Sequence, residues 1–382
     1  QTPPAGQAGT PPLPGQPGTP LKGFPSGPGT PVIVSLDTPM AADTSRATCK
    51  GHEGGIYTLA WSPSGKKLAS ASHDGTARIW DSMSGGCAVT CKGHQSYVTS
   101  VCWSTEGDLL VSGSDDGALR VWHADIGAMA VKCEGHTAQV RCVAWAPHRG
   151  WIASGSLDKS AKIWDAKSGS CVLTLSGHGG YVFCIAWRQA GDRLATGASD
   201  RTARLWDTQS GQCLAVCEGH AGAVCSVAWG PGGTYLASAA HDKTARVWNG
   251  KTGAQVAVCS GHSSHVYMVA WRLDAHRPRL ATASHDSTVR VYDASLGVCM
   301  SKCVGHVGAV YAVAWFSSAA RSLLASGGQD GTVRVWDATV GRCLAVHTGH
   351  QAGLSSVQFS PDGKQLASSS EDGTLKLWEL QM

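Results

Sequence analysis

Serine, histidine and aspartate recur together in this sequence at fixed spacing, a set that could carry nucleophilic catalysis. His52, Ser70 and Asp74 are followed by Trp80; His94, Ser112 and Asp116 by Trp122; His136, Ser154 and Asp158 by Trp164. In a hydrolase, such a histidine draws the proton from the hydroxyl while the aspartate orients the ring. That chemistry needs one trio at an exposed cleft, beside donors for an oxyanion. Here the set occurs eight times, always with Ser or Thr four residues before the Asp and an aromatic residue six after it. A polar network that returns with the core pattern is what a buried, fully bonded scaffold requires. The trio reads as structural, and no catalytic residue is expected.

The elements that position these residues recur with them. A Gly-His pair opens each unit, at His52, His94, His136, His178, His220, His262, His306 and His350, with a spacing of 42 residues five times and then 44 twice. Each unit continues with an aliphatic run ending in an aromatic residue, a turn, an apolar run with Ser, an Asp turn and a run ending in Trp-Asp. Four short strands per period are predicted. The two-residue insertions fall between Trp271 and Leu280 and between Trp315 and Leu323, where a hairpin turn tolerates them. Residues 45–382 are therefore expected to form one repeat body, although length alone suggests two or three domains.

The Gly-His starts and the endings Trp80-Asp81, Trp164-Asp165, Trp206-Asp207 and Trp336-Asp337 resemble the WD-repeat β-propeller family. The resemblance implies an all-β fold with eight blades of four antiparallel strands. Trp122-His123, Trp248-Asn249, Tyr292-Asp293 and Trp378-Glu379 depart from the motif without breaking the strand pattern. The last unit stops at Trp378, while Ser45 to Lys50 match its missing fourth strand. Family members close the ring by lending such an N-terminal strand to the last blade, which leaves no edge open. In the family, the Asp accepts from turn amides and from the His, whose ring links to the Ser hydroxyl and thence to the Trp. Tyr292 in place of Trp is expected to keep that hydroxyl link in part and to leave its blade softer.

Residues 1–44 hold eleven of the sixteen prolines and read as a Pro/Gly/Thr-rich flexible linker. Pro11, Pro12, Leu13 and Pro14 resemble ligands of small proline-binding domains, and Val32, Ile33 and Val34 could make a short strand. Gln1 opens the chain without a charged region and an apolar run after it, so no signal peptide is expected and an upstream region is.

Charged residues make up only 15% of the chain and the net charge is +4, which provides no strong field for nucleic acid or a membrane surface. No apolar run approaches the roughly eighteen residues that span a bilayer. Eight of the basic residues, from Arg78 to Lys376, sit two positions before the terminal aromatic and belong to the repeat. The fifteen cysteines also follow the repeat. Cys49, Cys91, Cys133, Cys217, Cys259 and Cys303 each lie three residues before the His of a Gly-His pair, and no Cys-x-x-Cys occurs. They are expected to be small apolar side chains in a reducing compartment, the cytosol or nucleus. A metal site at His241, His265 and His285 has no supporting spacing, and no cofactor is expected.

Function is then sought where the repeats disagree. Four residues after each Gly-His histidine the chain is always aliphatic, from Ile56 to Leu354, which marks core. The flanking positions, three and five after the histidine, vary freely and are expected to be exposed. They hold five of the seven tyrosines, and Tyr and Arg are enriched at binding hot spots. The resemblance places these positions, and the residue before each turn Asp, around the channel mouth on the face that WD-repeat proteins most often use for peptides. The candidate partner-binding residues are Tyr57, His73, Tyr97, Arg141, Tyr181, Phe183, His265, Tyr267, His285 and Tyr311. They are expected to form two arcs, one of Tyr97, Arg141, Tyr181 and Phe183, the other of His265, Tyr267, Tyr311 and Tyr57, with a gap at Ala223 and Cys225. The expected function is a protein-interaction scaffold: a monomeric propeller within a larger complex, binding proteins or peptides and neither nucleic acid nor membrane.

Overall fold

The computed structural model describes residues 43–272, 278–316 and 322–380. The expected linker, residues 1–44, lies outside them through residue 42, with its Pro-rich and Val-Ile-Val segments, as do the centres of the two inserted turns; its last two residues, Asp43 and Thr44, are described and bond to the ring.

Period-two alternation and turn glycines build each unit as a four-stranded antiparallel meander. Blade 1 runs from its inner strand Ile56–Trp61 through Lys67–Ser72 and Ala77–Asp81 to the outer strand Cys87–Cys91. Seven sheets of this order follow one another, and the eighth is completed from the other end of the chain. There Leu354–Phe359, Gln365–Ser370 and Leu375–Glu379 are joined by Ala47–Cys49. Ala47 pairs with Leu377 and Cys49 with Leu375. The closing strand is thus three residues long, inside the expected Ser45 to Lys50 segment. Bonds beyond it hold the seam: Arg46 N–H donates to the Leu377 carbonyl (2.8 Å) and Thr44 N–H to that of Thr348 (3.1 Å). Lys376, buried, pairs with Asp43 and donates to the Thr48 hydroxyl.

The core lies between blades. Ala69, Ala71 and Ile79 of blade 1, for example, pack against Val98, Val101, Trp103 and Leu110 of blade 2. Small alanines on one face let the next sheet approach closely, and large residues on the other fill the wedge. At the far end of the inner strands, the indole N–H of Trp103 donates to the Ala60 carbonyl of the preceding blade (3.0 Å), and that of Trp271 to Ala228 (2.8 Å). The buried thiol of Cys91 is pushed up to about 12 by desolvation, so it behaves as an apolar filler.

Every inner strand carries an irregularity at the same place. Ile56 pairs with Ser72 but Thr58 with Ala71, so Tyr57 stands opposite nothing. The same skip occurs at Thr99, Arg141, Phe183, Cys225, Tyr267, Tyr311 and Ser355. A bulge frees one residue from the ladder and re-aims its side chain. Eight such residues ring the start of the inner strands.

Candidate functional site

The repeated trio folds into a relay. In blade 1 the Trp80 indole N–H donates to Ser70 Oγ (2.8 Å), Ser70 Oγ lies 2.7 Å from His52 Nε2, and His52 Nδ1 lies 2.7 Å from Asp74 Oδ2. Asp74 also accepts from the amides of Glu53 and Thr76 and from the Thr76 hydroxyl. With a neutral imidazole every group is satisfied: the serine hydroxyl donates to Nε2 and the Nδ1–H donates to the carboxylate. Burial lowers the His52 pKa and outweighs the Asp74 bond that would raise it. Burial would raise the Asp74 carboxyl, but its bonds to His52 and Thr76 hold it well below the usual carboxylate range.

This geometry repeats through all eight blades, with His–Asp separations of 2.6–3.0 Å. Ser70 and its counterparts through Ser368 are 0% exposed, so the hydroxyls have no access to a substrate. The relay holds the Asp turn against the Gly-His loop of its own blade. The glycine of the pair has its own reason: a side chain at Gly51 would meet the Arg78 guanidinium at 2.6 Å, in a backbone at φ +148°. Blade 6 departs from expectation. The Tyr292 hydroxyl donates to the Ser260 carbonyl (3.0 Å) and not to Thr282, because a phenol reaches past the point where an indole N–H sits. The relay there ends at Thr282.

At the channel mouth the variable residues divide into two kinds. Thr99, Cys225 and Ser355 are small bulge residues that donate across to the next blade, to the carbonyls of Val140 (2.6 Å), Val266 (3.0 Å) and Ile56 (2.6 Å). Tyr57, Arg141, Phe183, Tyr267 and Tyr311 carry large groups instead. Tyr267 is the hub of an aromatic cluster. Its hydroxyl lies 3.0 Å from His285 Nδ1, and its ring centroid 5.3 Å from Tyr311, 6.0 Å from His241 and 6.5 Å from His265. His265 Nδ1 donates to the His241 carbonyl (2.6 Å). Burial, then the neighbouring His265, push the His241 imidazole down to about 4.

The second cluster centres on His73, whose ring lies 6.1 Å from Tyr57 and 3.5 Å from Tyr97. Arg141 reaches Asp115 at 3.4 Å. Burial raises the Tyr57 pKa, and the Asp115, Tyr97 and Glu371 charges raise it further while Arg141 opposes them. Glu371 also acts on Tyr311. Blade 8 lies between blades 7 and 1 in the ring, so its carboxylate stands between the two clusters. Tyr181 and Phe183 pair with each other at 6.3 Å. Tyr181 also walls a groove of about 500 Å³ whose lining includes Asp115, Gln139 and Leu157.

Comparison with known proteins agrees with this architecture. The family model described as WD domain, G-beta repeat matches eight successive segments: residues 43–81, 85–123, 128–165, 169–207, 211–249, 253–293, 297–337 and 341–379. The chain belongs to the WD-repeat family. Among solved structures, the chain resembles the computationally designed Ika8 protein, at 30% identity and TM-score 0.77, over 88% of this chain and 100% of that one. It also shares its fold with Chaetomium thermophilum Sqt1, solved bound to the N-terminus of the ribosomal protein L10, at 23% identity and TM-score 0.81, over 89% and 100% of the two chains. Curated WD-repeat relatives match only locally. WD repeat-containing protein 1 of Gallus gallus is 59% identical over 32 residues, 8% of this chain and 5% of that protein. WD repeat-containing protein 86 of Homo sapiens is 49% identical over 39 residues, 10% of each. The matched segments thus span no more than a tenth of these relatives.

Within this WD-repeat frame the ten candidate residues all fall at the rim, but their grouping changes. Tyr57 joins Tyr97 through His73. Tyr181 and Phe183 stand as a pair of their own. The expectation that variable positions are exposed holds for Tyr97 (38%) and Tyr181 (47%) and fails for Tyr267, only 6% exposed beneath its histidine neighbours. Asp115, His241 and Glu371 belong with the candidates. Their signal was available in the sequence, since each precedes a relay aspartate.

Proposed function

We propose that this chain is an interaction scaffold that binds partner peptides or protein domains at the channel mouth and does not catalyse a reaction. The observation that carries this reading is the discontinuous aromatic and histidine belt at the mouth, from His241 through Tyr267 and Tyr311, past Glu371, to Tyr57, His73 and Tyr97. Tyrosines at bulges offer large rigid surface at low entropic cost, each with a polar tip for a peptide group. WD-repeat propellers generally serve as interaction scaffolds, and the Sqt1 relative is bound to a ribosomal-protein N-terminus. In this reading the propeller is a monomeric subunit of a larger complex in the cytosol or nucleus, using no cofactor and binding neither nucleic acid nor membrane. Among the described residues no helix is long and apolar enough to cross a membrane.

Affinity purification followed by mass spectrometry tests the reading. Partners captured by the wild type should be lost from a Tyr97→Ala/Tyr267→Ala double variant whose circular dichroism and melting show a folded propeller. An unchanged partner set would remove the mouth from consideration.

A further inference from the structure

Three cations stand on the same face of consecutive blades, and neither the relay nor the aromatic belt uses them. The residue after each relay aspartate sits in a left-handed backbone. In blades 1, 2, 7 and 8 it is glycine: Gly75 (φ +78°), Gly117 (+81°), Gly331 (+70°) and Gly373 (+78°). Blades 3, 4 and 5 place Lys159 (φ +70°), Arg201 (+70°) and Lys243 (+71°) there, and blade 6 Ser287 (+68°). A residue with a Cβ is strained in this region, so the fold by itself favours glycine at these turns. Ser287 takes the same backbone without a charge, so it is the run of three cations on consecutive blades, not the strain alone, that calls for an occupant. All three cations are exposed, and among the described residues no ion pair engages them.

Their surroundings point to the occupant. Lys159 follows two residues after Leu157, a wall of the 500 Å³ groove. Tyr181, which also lines the groove, exchanges backbone and side-chain bonds with Ser199, two residues before Arg201. The groove's own carboxylates are committed: Asp115 to Arg141, and Asp116 to His94 and Arg120. Glu134, at the neighbouring blade edge, is paired with Lys132. Glu218 follows the outer strand of blade 4, and the relay carboxylates beside the three cations, Asp158, Asp200 and Asp242, are turned to His136, His178 and His220.

We propose that blades 3 to 5 form a second docking arc that receives an acidic segment of a partner protein. An apolar side chain of that segment sits between Leu157 and Tyr181, and its carboxylates lie along Lys159, Arg201 and Lys243. This deepens the scaffold reading and rests on it, by giving one part of the partner a chemistry.

The test measures fluorescence anisotropy of a labelled peptide of one leucine followed by six glutamates, against the wild type and a Lys159→Gly/Arg201→Gly/Lys243→Gly variant. The glycines relieve the strained turns, so the variant should melt no lower than the wild type. It should nevertheless bind the peptide roughly tenfold more weakly. Wild-type binding should weaken between about 50 mM and about 500 mM salt, and a peptide with lysines in place of the glutamates should not bind. Equal affinity of the variant and the wild type overturns the arc. Tighter binding and displacement of the peptide by a single-stranded RNA oligonucleotide would assign the arc to nucleic acid and overturn the acidic-segment proposal. The two readings fail separately: the scaffold reading fails if the Tyr97→Ala/Tyr267→Ala variant keeps its partners, whatever the peptide does.

Discussion

The inner strand of every blade puts two opposite regimes side by side. Val266 is one of eight aliphatics at its position, all buried, and the next residue, Tyr267, is one of eight bulge residues that run from Ser355 and Cys225 to Arg141 and three tyrosines. A few residues away the His–Asp contact of the relay is rebuilt eight times within tenths of an ångström, while the mouth is built once, from a different set of side chains in each blade. Identical copies carry the stability of the ring, because each blade must solve the same burial problem. In the scaffold reading proposed above the differences carry the information, because the bulges ring a single mouth.

The sharpest way to break that division is acid, which acts on the relay through many copies. His52, His94, His136, His178 and His262 have imidazoles whose folded pKa lies below the ordinary 6.5, because burial disfavours the cation. The unfolded chain therefore binds more protons as pH drops below about 6.5, and each such histidine removes up to about 1.4 kcal/mol of stability per pH unit. The lowered relay carboxyls act in the same direction below about 4, where the unfolded aspartates begin to protonate. Urea midpoints should be highest near neutral pH and fall steadily from about pH 6.5 to 5; a flat profile would mean that the relay histidines are charged in the fold.

Removing one relay member tests a single copy. Asp116→Ala strips the acceptor from His94, from the Gln95 and Ala118 amides and from the buried Arg120. A loss of about 3 kcal/mol is expected in a urea melt, mostly from the orphaned donors. Blade 6 should respond less. Tyr292→Phe leaves the Ser260 carbonyl without its donor but spares Thr282, and should cost about 1 kcal/mol. A loss as large as that of Asp116→Ala would show that the phenol is part of the relay after all. At the mouth the ranking should invert. Tyr181→Ala is expected to shift stability by less than about 0.5 kcal/mol, as exposed sites do, yet to weaken partner capture.

Most of the fold could be read from the sequence because its signals are redundant. Eight Gly-His pairs in register fixed the blade count, and the relay partners followed from their offsets, since a period of 42 leaves little freedom in which strand carries which residue. The mouth was legible in membership only. The bulge at Tyr57 leaves no mark in composition, because the skipped residue is by nature the one that varies. Whether Tyr57 turns toward Tyr97 or Tyr311 depends on His73 and Glu371, which arrive from other turns and another blade. Tyr267 was expected in solvent, since variability usually accompanies exposure, but His241, His265 and His285 cover it and convert a variable position into a buried one. The phenol of Tyr292 departs from the relay for a simpler reason: its oxygen lies outside the ring, whereas the indole nitrogen is part of one, so it reaches past Thr282 to the Ser260 carbonyl.

The seam at Ala47–Cys49 has a mechanical meaning beyond closing a sheet. An open row of repeats can loosen from either end, one unit at a time, whereas a hoop has no end from which to loosen until its fastening gives way. The fastening here is a three-residue ladder reinforced by Asp43, Arg46 and Lys376. Blade 8, which it completes, also contributes Glu371 to the mouth, and blade 1 beside it contributes Tyr57. The clasp of the hoop and the meeting point of the two aromatic clusters thus share blade 8, the clasp on its outermost strand and Glu371 on a turn at the mouth, so the blade that holds the ring shut also joins the two halves of the belt.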